Sequence, residues 1–313
     1  MKALIFPGQG SQAVGMGSEL YNKFDLVKKI FQQADDRLGY SISDIIFNGP
    51  ENKLQLTQNT QPAILTVSYS IFKVLQKEFG LNFKNFKYFA GHSLGEYSAL
   101  VCSEALNFED AIYLLHERGK AMQEAVPLGE GSMLAVLGID IDQIKELLLS
   151  FKQKTGVCEI ANDNANGQII LSGNKKKVEL IQKNLKEKKI KSIPLKVSAP
   201  FHCSLMKPAA EIMKKKINLT KLNSISHQIV SNVTANPEND LDIIKKLLID
   251  QIFSTVRWRE SIINMNDLGV NNFIELGPGK VLTSMVKRTI KNANTFSINS
   301  IADMENIENE LKK

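Results

Sequence analysis

Apolar and polar positions alternate between short strand patterns and longer helical patterns along most of the chain. An apolar run at 2–6 predicts a buried strand, and residues 24–38 repeat apolar side chains at helical spacing up to Gly39, a typical C-cap. A strand pattern at 86–90 leads into a helical one at 94–102. Further helices are predicted at 60–79, 108–124, 204–216, 241–252, 256–268 and 280–290, and further strands at 228–232 and 272–276. This alternation predicts an α/β protein with a mainly parallel sheet.

The pattern changes between residues 126 and 198. There it predicts a strand, a helix, two strands, a helix and a last strand, which is the β-α-β-β-α-β order of ferredoxin-like folds. We therefore expect a hydrolase-like α/β core at 1–125 and 199–313. A small ferredoxin-like α+β subdomain at 126–198 is expected to be inserted into it.

Composition is that of an ordinary globular protein: 43% of the 313 residues are hydrophobic and 23% are charged. The chain contains no run of 18 apolar residues, so no membrane-spanning helix is expected. The apolar stretch at its start is too short for the hydrophobic region of a signal peptide. Three cysteines, Cys102, Cys158 and Cys203, form no C-x-x-C pair, which favours a reducing compartment over a disulfide scaffold or a zinc cluster. We expect a cytoplasmic protein.

The formal net charge of +6 comes almost entirely from lysine. Runs such as 175–177 and 186–189 indicate solvated surface faces, and no aromatic residues are interleaved with them as a single-strand binder would need. The charge pattern therefore argues against a nucleic-acid partner. A weakly basic face could still attract an acidic protein.

A serine nucleophile is indicated by Gly91-His92-Ser93-Leu94-Gly95. This G-x-S-x-G pattern lies between a predicted strand and a predicted helix, the setting of a nucleophile elbow. The sharp turn exposes the serine hydroxyl, and the N–H of Leu94 is left free to stabilise an oxyanion.

The serine needs a base, and the chain contains four histidines. His92 neighbours the serine and is interpreted as a packing or supporting residue, while His116 and His227 are interpreted as structural. His202 lies between a predicted strand and a predicted helix, and spacing alone leaves both a catalytic and a structural role open. Cys203 is a weaker nucleophile candidate because it has no elbow.

The amino-terminal loop Gly8-Gln9-Gly10-Ser11-Gln12-Ala13 formally satisfies the dinucleotide pattern G-x-G-x-x-G/A. A second strand ending in an acidic residue should follow, yet that stretch is a predicted helix. Nicotinamide binding is therefore disfavoured. The loop is better interpreted as the donor of a second backbone N–H to an oxyanion.

Several separated motifs follow one another along the chain. They are Phe6-Pro7-Gly8-Gln9-Gly10-Ser11-Gln12, Thr60-Gln61-Pro62-Ala63, Gly91-His92-Ser93-Leu94-Gly95-Glu96-Tyr97, Arg118-Gly119, Met122-Gln123, Gly131-Ser132-Met133, Ala199-Pro200-Phe201-His202, Ser231-Asn232-Val233, Gln251, Val256-Arg257-Trp258 and Glu275-Leu276-Gly277-Pro278-Gly279-Lys280. Together they resemble the malonyl-CoA:acyl-carrier-protein transacylases, the stand-alone acyltransferases of fatty-acid synthesis. The resemblance covers nearly the whole chain.

The resemblance implies a catalytic role for five residues. Ser93 would be the nucleophile and His202 its general base. The backbone carbonyl of Gln251, rather than an aspartate, would orient the imidazole. The backbone N–H groups of Gln9 and Leu94 would form the oxyanion hole.

The resemblance also implies the residues that bind substrate. Arg118 would hold the free malonyl carboxylate, a task suited to the guanidinium fork, although a buried structural ion pair is the alternative. Gln9, Asn162 and Asn232 match positions that line the site. Phe201 resembles the malonyl-selective form of the loop, in which a smaller residue accompanies methylmalonyl.

The implied reaction is a two-step (ping-pong) transfer from malonyl-CoA to the phosphopantetheine thiol of acyl carrier protein, through a malonyl-serine. It needs no metal or other cofactor, and it would supply malonyl groups for fatty-acid synthesis. No nucleic-acid or membrane partner is implied, and we expect a monomer.

Other functions remain open at this point. A serine hydrolase or thioesterase shares the elbow, although the Ser…Asp…His order of α/β-hydrolases and the catalytic aspartate of patatin-like lipases are not visible. A trans-acting polyketide acyltransferase would carry the same motifs. A non-catalytic carrier-docking module is disfavoured because Ser93, His202 and Arg118 are all present.

Overall fold

A computed structural model of the chain describes residues 1–197 and 199–311. The strands are β1 (Lys2–Phe6), β2 (Phe86–Gly91), β3 (Gly131–Leu137), β4 (Cys158–Ala165), β5 (Gln168–Asn174), β6 (Lys191–Pro194), β7 (Gln228–Val230), β8 (Pro237–Glu238), β9 (Asn272–Leu276) and β10 (Asn294–Ile298). The helices are α1 (Ser18–Lys23), α2 (Asp25–Leu38), α3 (Ile42–Asn48), α4 (Glu51–Leu54), α5 (Thr57–Lys77), α6 (Gly95–Cys102), α7 (Phe108–Glu124), α8 (Ile141–Ser150), α9 (Lys175–Glu187), α10 (Lys207–Leu219), α11 (Leu241–Asp250), α12 (Trp258–Asp267), α13 (Val281–Thr289) and α14 (Ile301–Leu311). Short 3-10 turns occupy Phe83–Asn85 and Ser204–Met206.

The larger sheet has the strand order β10-β9-β1-β2-β7-β8. Its strands pair in parallel except for β8, which runs antiparallel to β7. Parallel pairing brings the carboxyl ends of β1 and β2 to the same edge, where Phe6 pairs with Gly91. The loops that follow these strands therefore meet, which is where open α/β sheets bind ligands.

Helices cover both faces of this sheet, as parallel strands require. Leu4 and Phe6 of β1 pack in a core shared with α2, α5 and α7. Ala3 and Ile5, which point to the opposite face, pack with α12 and α13, including the fully buried Trp258. The near-continuous apolar run of β1 is explained by this burial on two sides.

The smaller sheet has the order β4-β5-β3-β6 and is antiparallel. Helices α8 and α9 supply apolar side chains to a separate core beneath it. This strand order is that of a ferredoxin-like unit, so the fold class predicted from the pattern is confirmed. The boundaries 1–125, 126–198 and 199–313 stay predictions, and Ser198, Lys312 and Lys313 lie outside the described residues.

Several predicted elements near the site differ from the structure in their bounds. The strand predicted at 228–232 ends at Val230, and the helix predicted at 241–252 ends at Asp250. The last strand predicted within 126–198 ends at Pro194, and Leu195 and Val197 beyond it line a cavity. The helix predicted at 204–216 begins as a 3-10 turn and becomes α-helical at Lys207, where Pro208 in the first turn favours a helix start. Elements without a predicted counterpart are α1, α3, α4, β8, β10 and α14.

Within the described ranges, no helix combines the length and apolar character that crossing a membrane requires.

Candidate active site

Ser93 lies on a tight turn between β2 and α6. Its backbone φ is 53°, in the left-handed region that non-glycine residues rarely adopt. The flanking glycines make the turn possible. A Cβ on Gly91 would lie 1.9 Å from the carbonyl carbon of Gly95, and a Cβ on Gly95 would lie 2.2 Å from the carbonyl oxygen of Phe6. Both positions of the motif therefore exclude any side chain.

His202 faces Ser93 although 109 positions separate them in sequence. The Ser93 Oγ and His202 Nε2 atoms are 2.8 Å apart, and His202 Nδ1 lies 2.8 Å from the backbone carbonyl oxygen of Gln251. The carbonyl can only accept, so Nδ1 carries the proton and Nε2 accepts from the serine hydroxyl. Burial and the neighbouring charge of Arg118 lower the pKa of His202 to about 3, so the imidazole is neutral at physiological pH.

The loop that carries His202 is held at both ends. His202 has a φ of 56°, and the Cys203 thiol donates to the Pro200 carbonyl oxygen at 3.1 Å. The carboxylate of Glu159 on β4 accepts 2.7 Å hydrogen bonds from the backbone N–H and hydroxyl of Ser204. The smaller sheet also reaches Pro200, because a Cβ on Gly131 would lie 2.2 Å from its ring. The smaller sheet therefore fixes this loop.

The two backbone N–H groups expected to form an oxyanion hole border the same cavity. It has a volume of about 170 Å³, and its lining includes Gln9 and Leu94. Within the described residues, neither N–H has a hydrogen-bond acceptor. Leu94 precedes the first residue of α6, so its N–H lies at the positive end of that helix.

Arg118 is 1% exposed, and its guanidinium meets neutral groups only. It donates to the Gln61 side-chain oxygen at 2.7 Å, the Gln251 side-chain oxygen at 2.8 Å and Ser93 Oγ at 3.1 Å. No carboxylate of the described residues lies within 4.0 Å, and no described residue accepts from the Nε–H. Arg118 therefore forms no ion pair with the described residues, unlike in the structural alternative. A buried cation without a counterion favours an anionic ligand.

Helix α7 can place this arginine because it packs unusually close to α5. A Cβ on Gly119 would lie 2.5 Å from the carbonyl oxygen of Thr57 and 2.6 Å from the backbone of Gln58. The adjacent Tyr97 ring lies 5.8 Å from the guanidinium carbon of Arg118, a favourable cation–π distance.

The other predicted substrate residues divide into two groups. Asn162 and Phe201 line the cavity, as Gln9 does. Asn232 is fully buried outside the lining and supports the elbow instead. Its Oδ1 accepts from the Ser93 N–H at 2.7 Å, and its Nδ2 donates to the Gly91 carbonyl oxygen at 2.7 Å.

The remaining histidines and cysteines form no hydrogen bond with the Ser93 hydroxyl. His92 points to Asn164, whose Oδ1 lies 2.8 Å from Nε2, and it also lines the cavity. His116 and His227 lie 3.1 and 3.0 Å from backbone carbonyl oxygens elsewhere. Burial raises the pKa of the Cys203 thiol to about 11, which opposes a thiolate nucleophile. Among the described side chains, no group of three His, Cys, Asp or Glu residues is arranged to hold a metal ion.

Two contributors to the site were not singled out from the sequence. Gln61 holds one end of the Arg118 guanidinium, and Glu96 accepts from Gln251 Nε2 at 2.7 Å and from the Asn232 N–H at 3.2 Å. Both residues lie inside motifs of the resemblance, and both are at most 2% exposed. A single charged residue in the otherwise uncharged helical pattern at 94–102, directly after the candidate nucleophile, is the signal that could have identified Glu96.

Comparisons with known proteins agree with this geometry. The family described as acyl transferase domain matches residues 3–310. A malonyl CoA-acyl carrier protein transacylase of Bacillus subtilis is 44% identical over 98% of this chain and 95% of its own length. The acyl-carrier-protein-S-malonyltransferase of Bartonella henselae superposes with a TM-score of 0.96 at 40% identity, covering 100% of this chain and 99% of that one. A malonyl-transacylase solved in complex with a type II polyketide synthase acyl-carrier protein superposes with a TM-score of 0.94 at 37% identity, covering 99% of both chains. The chain therefore belongs to the malonyl CoA-acyl carrier protein transacylases of the acyl transferase domain family.

Proposed function

We propose that this enzyme transfers a malonyl group from coenzyme A to the phosphopantetheine thiol of acyl carrier protein through a malonyl ester of Ser93. The observation that carries the proposal is the buried guanidinium of Arg118, which has no carboxylate partner among the described residues and lies 3.1 Å from Ser93 Oγ. A malonyl thioester supplies the missing carboxylate. Binding of this carboxylate by Arg118 holds the thioester within reach of Ser93 Oγ, so the group that selects the acyl chain also positions it for attack.

In the first step, His202 Nε2 takes the hydroxyl proton as Ser93 Oγ attacks the thioester carbonyl carbon. The carbon–sulfur bond breaks, and coenzyme A leaves with the proton that His202 returns. The N–H groups of Gln9 and Leu94 stabilise the oxyanion, and the Gln251 carbonyl stabilises the imidazolium.

In the second step, the carrier thiol loses its proton to His202, and its sulfur attacks the malonyl ester. The carbon–oxygen bond to Ser93 breaks, and Oγ regains a proton from His202. This chemistry uses only side chains and backbone groups of the chain, so the proposal includes no metal or organic cofactor.

The name of the Bacillus subtilis relative supports acyl carrier protein as the acceptor, and fatty-acid synthesis is the pathway that we propose. The complex with a type II polyketide synthase carrier supports polyketide supply as the second candidate. Three unpaired cysteines support a cytoplasmic location. The monomeric state stays a prediction.

Intact-mass measurement after incubation with malonyl-CoA tests the central step. We expect the wild type to gain one malonyl group and to lose it when carrier protein is added. Ser93→Ala should gain none. Ser98→Ala is the matched control, since this buried serine lies on α6 and its hydroxyl has no hydrogen-bond partner within the described part of the chain. Malonyl labelling that persists in Ser93→Ala would contradict the proposal, and loss of the label to water alone would favour the hydrolase.

A further inference from the structure

A buried carboxylate lies behind the nucleophile and takes no part in the proposed proton transfers. Glu96, in the first turn of α6, is 2% exposed. Its Oε2 accepts hydrogen bonds from Gln251 Nε2 at 2.7 Å and from the Asn232 N–H at 3.2 Å. Keeping an ionisable group away from water is costly, so its position calls for an explanation.

Gln251 connects this carboxylate to the arginine. Its Oε1 accepts from Arg118 Nη2 at 2.8 Å, while its Nε2 donates to Glu96 and, at 3.0 Å, to the carbonyl oxygen of Ser93. A guanidinium only donates and an ionised carboxylate only accepts. The amide therefore has one acceptable orientation when Glu96 is ionised. A flipped amide would direct its NH2 group at Arg118 and its oxygen at the carboxylate.

We infer that Glu96, in its ionised form, is a positioning residue that fixes the Gln251 amide and, through it, aims the Arg118 guanidinium at the malonyl carboxylate. The inference rests on the role proposed above for Arg118. The Arg118 guanidinium and the Ser93 carbonyl favour the observed orientation of the Gln251 amide at any pH. A protonated Glu96 can donate as well as accept, so it no longer opposes the flipped orientation, and the preference for the observed one weakens. In the flipped orientation Arg118 loses an acceptor and moves from its place beside Ser93.

Burial and the charges around Glu96 place its ionisation close to neutral pH. Burial raises the pKa of Glu96 to about 7, opposed by the hydrogen bonds from Gln251 and Asn232 and by the charge of Arg118 on α7. Tyr97 is the titratable neighbour on its own helix, and burial raises the pKa of that phenol to about 12. His202 is neutral throughout, because burial and Arg118 lower its pKa to about 3. Among these groups, Glu96 is thus the one that changes charge near neutrality.

The test is the rate of the first half-reaction, malonyl-enzyme formation from malonyl-CoA, measured by rapid quench and intact mass between pH 5.5 and 8.5. This half-reaction contains no carrier thiol, so thiol ionisation does not contribute. We expect the wild-type rate to fall about tenfold per pH unit below the transition near neutrality, as for one required deprotonation. Glu96→Gln, which keeps the shape and cannot ionise, should show a flat profile.

Acetyl-CoA provides the internal control, because its acyl group carries no carboxylate for Arg118. Its slow acylation should be independent of pH over the same range in both proteins. A transition of equal size with acetyl-CoA would overturn the inference, as would a wild-type transition that persists in Glu96→Gln. Equal transitions with the two thioesters in the wild type would overturn the inference even if the variant does not fold. Absence of malonyl-Ser93 at pH 8 would instead contradict the proposed function, so the two failures are distinguishable.

Discussion

The Nη2 atom of Arg118 lies 3.1 Å from the Oγ atom of Ser93, and it donates a hydrogen bond to the hydroxyl that His202 is positioned to deprotonate. The group that we propose to select the acyl chain thus contacts the nucleophile. Its positive charge also contributes to the lowered pKa of His202. A malonyl carboxylate bound to Arg118 offsets that charge, so we expect substrate binding itself to strengthen the base.

Replacing Arg118 with lysine should reduce acylation by malonyl-CoA about a hundredfold or more. The ammonium keeps the charge but cannot hold a carboxylate and two glutamine oxygens in a planar array. Acylation by acetyl-CoA should change far less, so the ratio of malonyl to acetyl labelling is the informative measurement. Arg37→Lys, at an exposed position, is the control. An unchanged ratio in Arg118→Lys would remove the arginine from acyl selection.

Replacing Phe201 with leucine should widen acyl selectivity. Phe201 lines the cavity and is 7% exposed, so a smaller side chain there leaves room for the extra methyl group of methylmalonyl. We expect the ratio of methylmalonyl to malonyl acylation to rise about tenfold, the usual effect of one methyl group in an apolar pocket. Phe72→Leu, a buried substitution elsewhere in the core, should leave the ratio unchanged. Equal ratios in the two variants would refute a selective role for Phe201.

Replacing Gly119 with alanine should reduce activity through backbone displacement. The new Cβ would lie 2.5 Å from the Thr57 carbonyl oxygen, so α7 must move away from α5 and carry Arg118 with it. We expect a loss of about 1–3 kcal/mol in the free energy of unfolding, as for overpacking, together with weaker malonyl acylation. Lys120→Ala, on the exposed side of α7, should change neither. Chemical denaturation and the acylation assay check both expectations.

Replacing Glu96 with glutamine should stabilise the protein relative to the wild type, and the difference in the free energy of unfolding should grow as pH rises. The folded-state pKa of about 7 exceeds the ordinary value of 4.5, so the protonated form favours folding, and that contribution is lost between about pH 4.5 and pH 7. Glutamine avoids the loss, which is on the order of 3 kcal/mol for a group this buried. Denaturant unfolding at pH 5 and pH 8 measures the effect, with the exposed Glu146→Gln as control. A stability difference that does not change with pH would contradict the burial argument.

The elbow could be predicted from sequence because its causes are local. Gly91 and Gly95 mark a backbone that must pass close to itself and to β1, and the strand and helix on either side show clear apolar patterns. The bounds of α7 were likewise predicted as observed, since its amphipathic spacing is regular. Local pattern specifies these features without knowledge of the fold.

The network behind the nucleophile could not be predicted in the same way. Glu96 and Gln251 are 155 positions apart, and only the packing of α6 against the segment after α11 brings their side chains together. Spacing left the role of His202 open for the same reason, and its assignment as general base came from the family resemblance. Helices α1, α3 and α4 are short, so each offers too few turns for a periodic signal.

The smaller sheet holds the His202 loop through the Glu159 contacts to Ser204 and through the packing of Gly131 on Pro200. This sheet is therefore not an interchangeable module. A chimera that received the corresponding sheet from a relative would need a matching acceptor opposite Ser204 and a glycine beneath Pro200. Without both, we expect His202, the proposed general base, to be misaligned even though every proposed catalytic residue of the core had been retained.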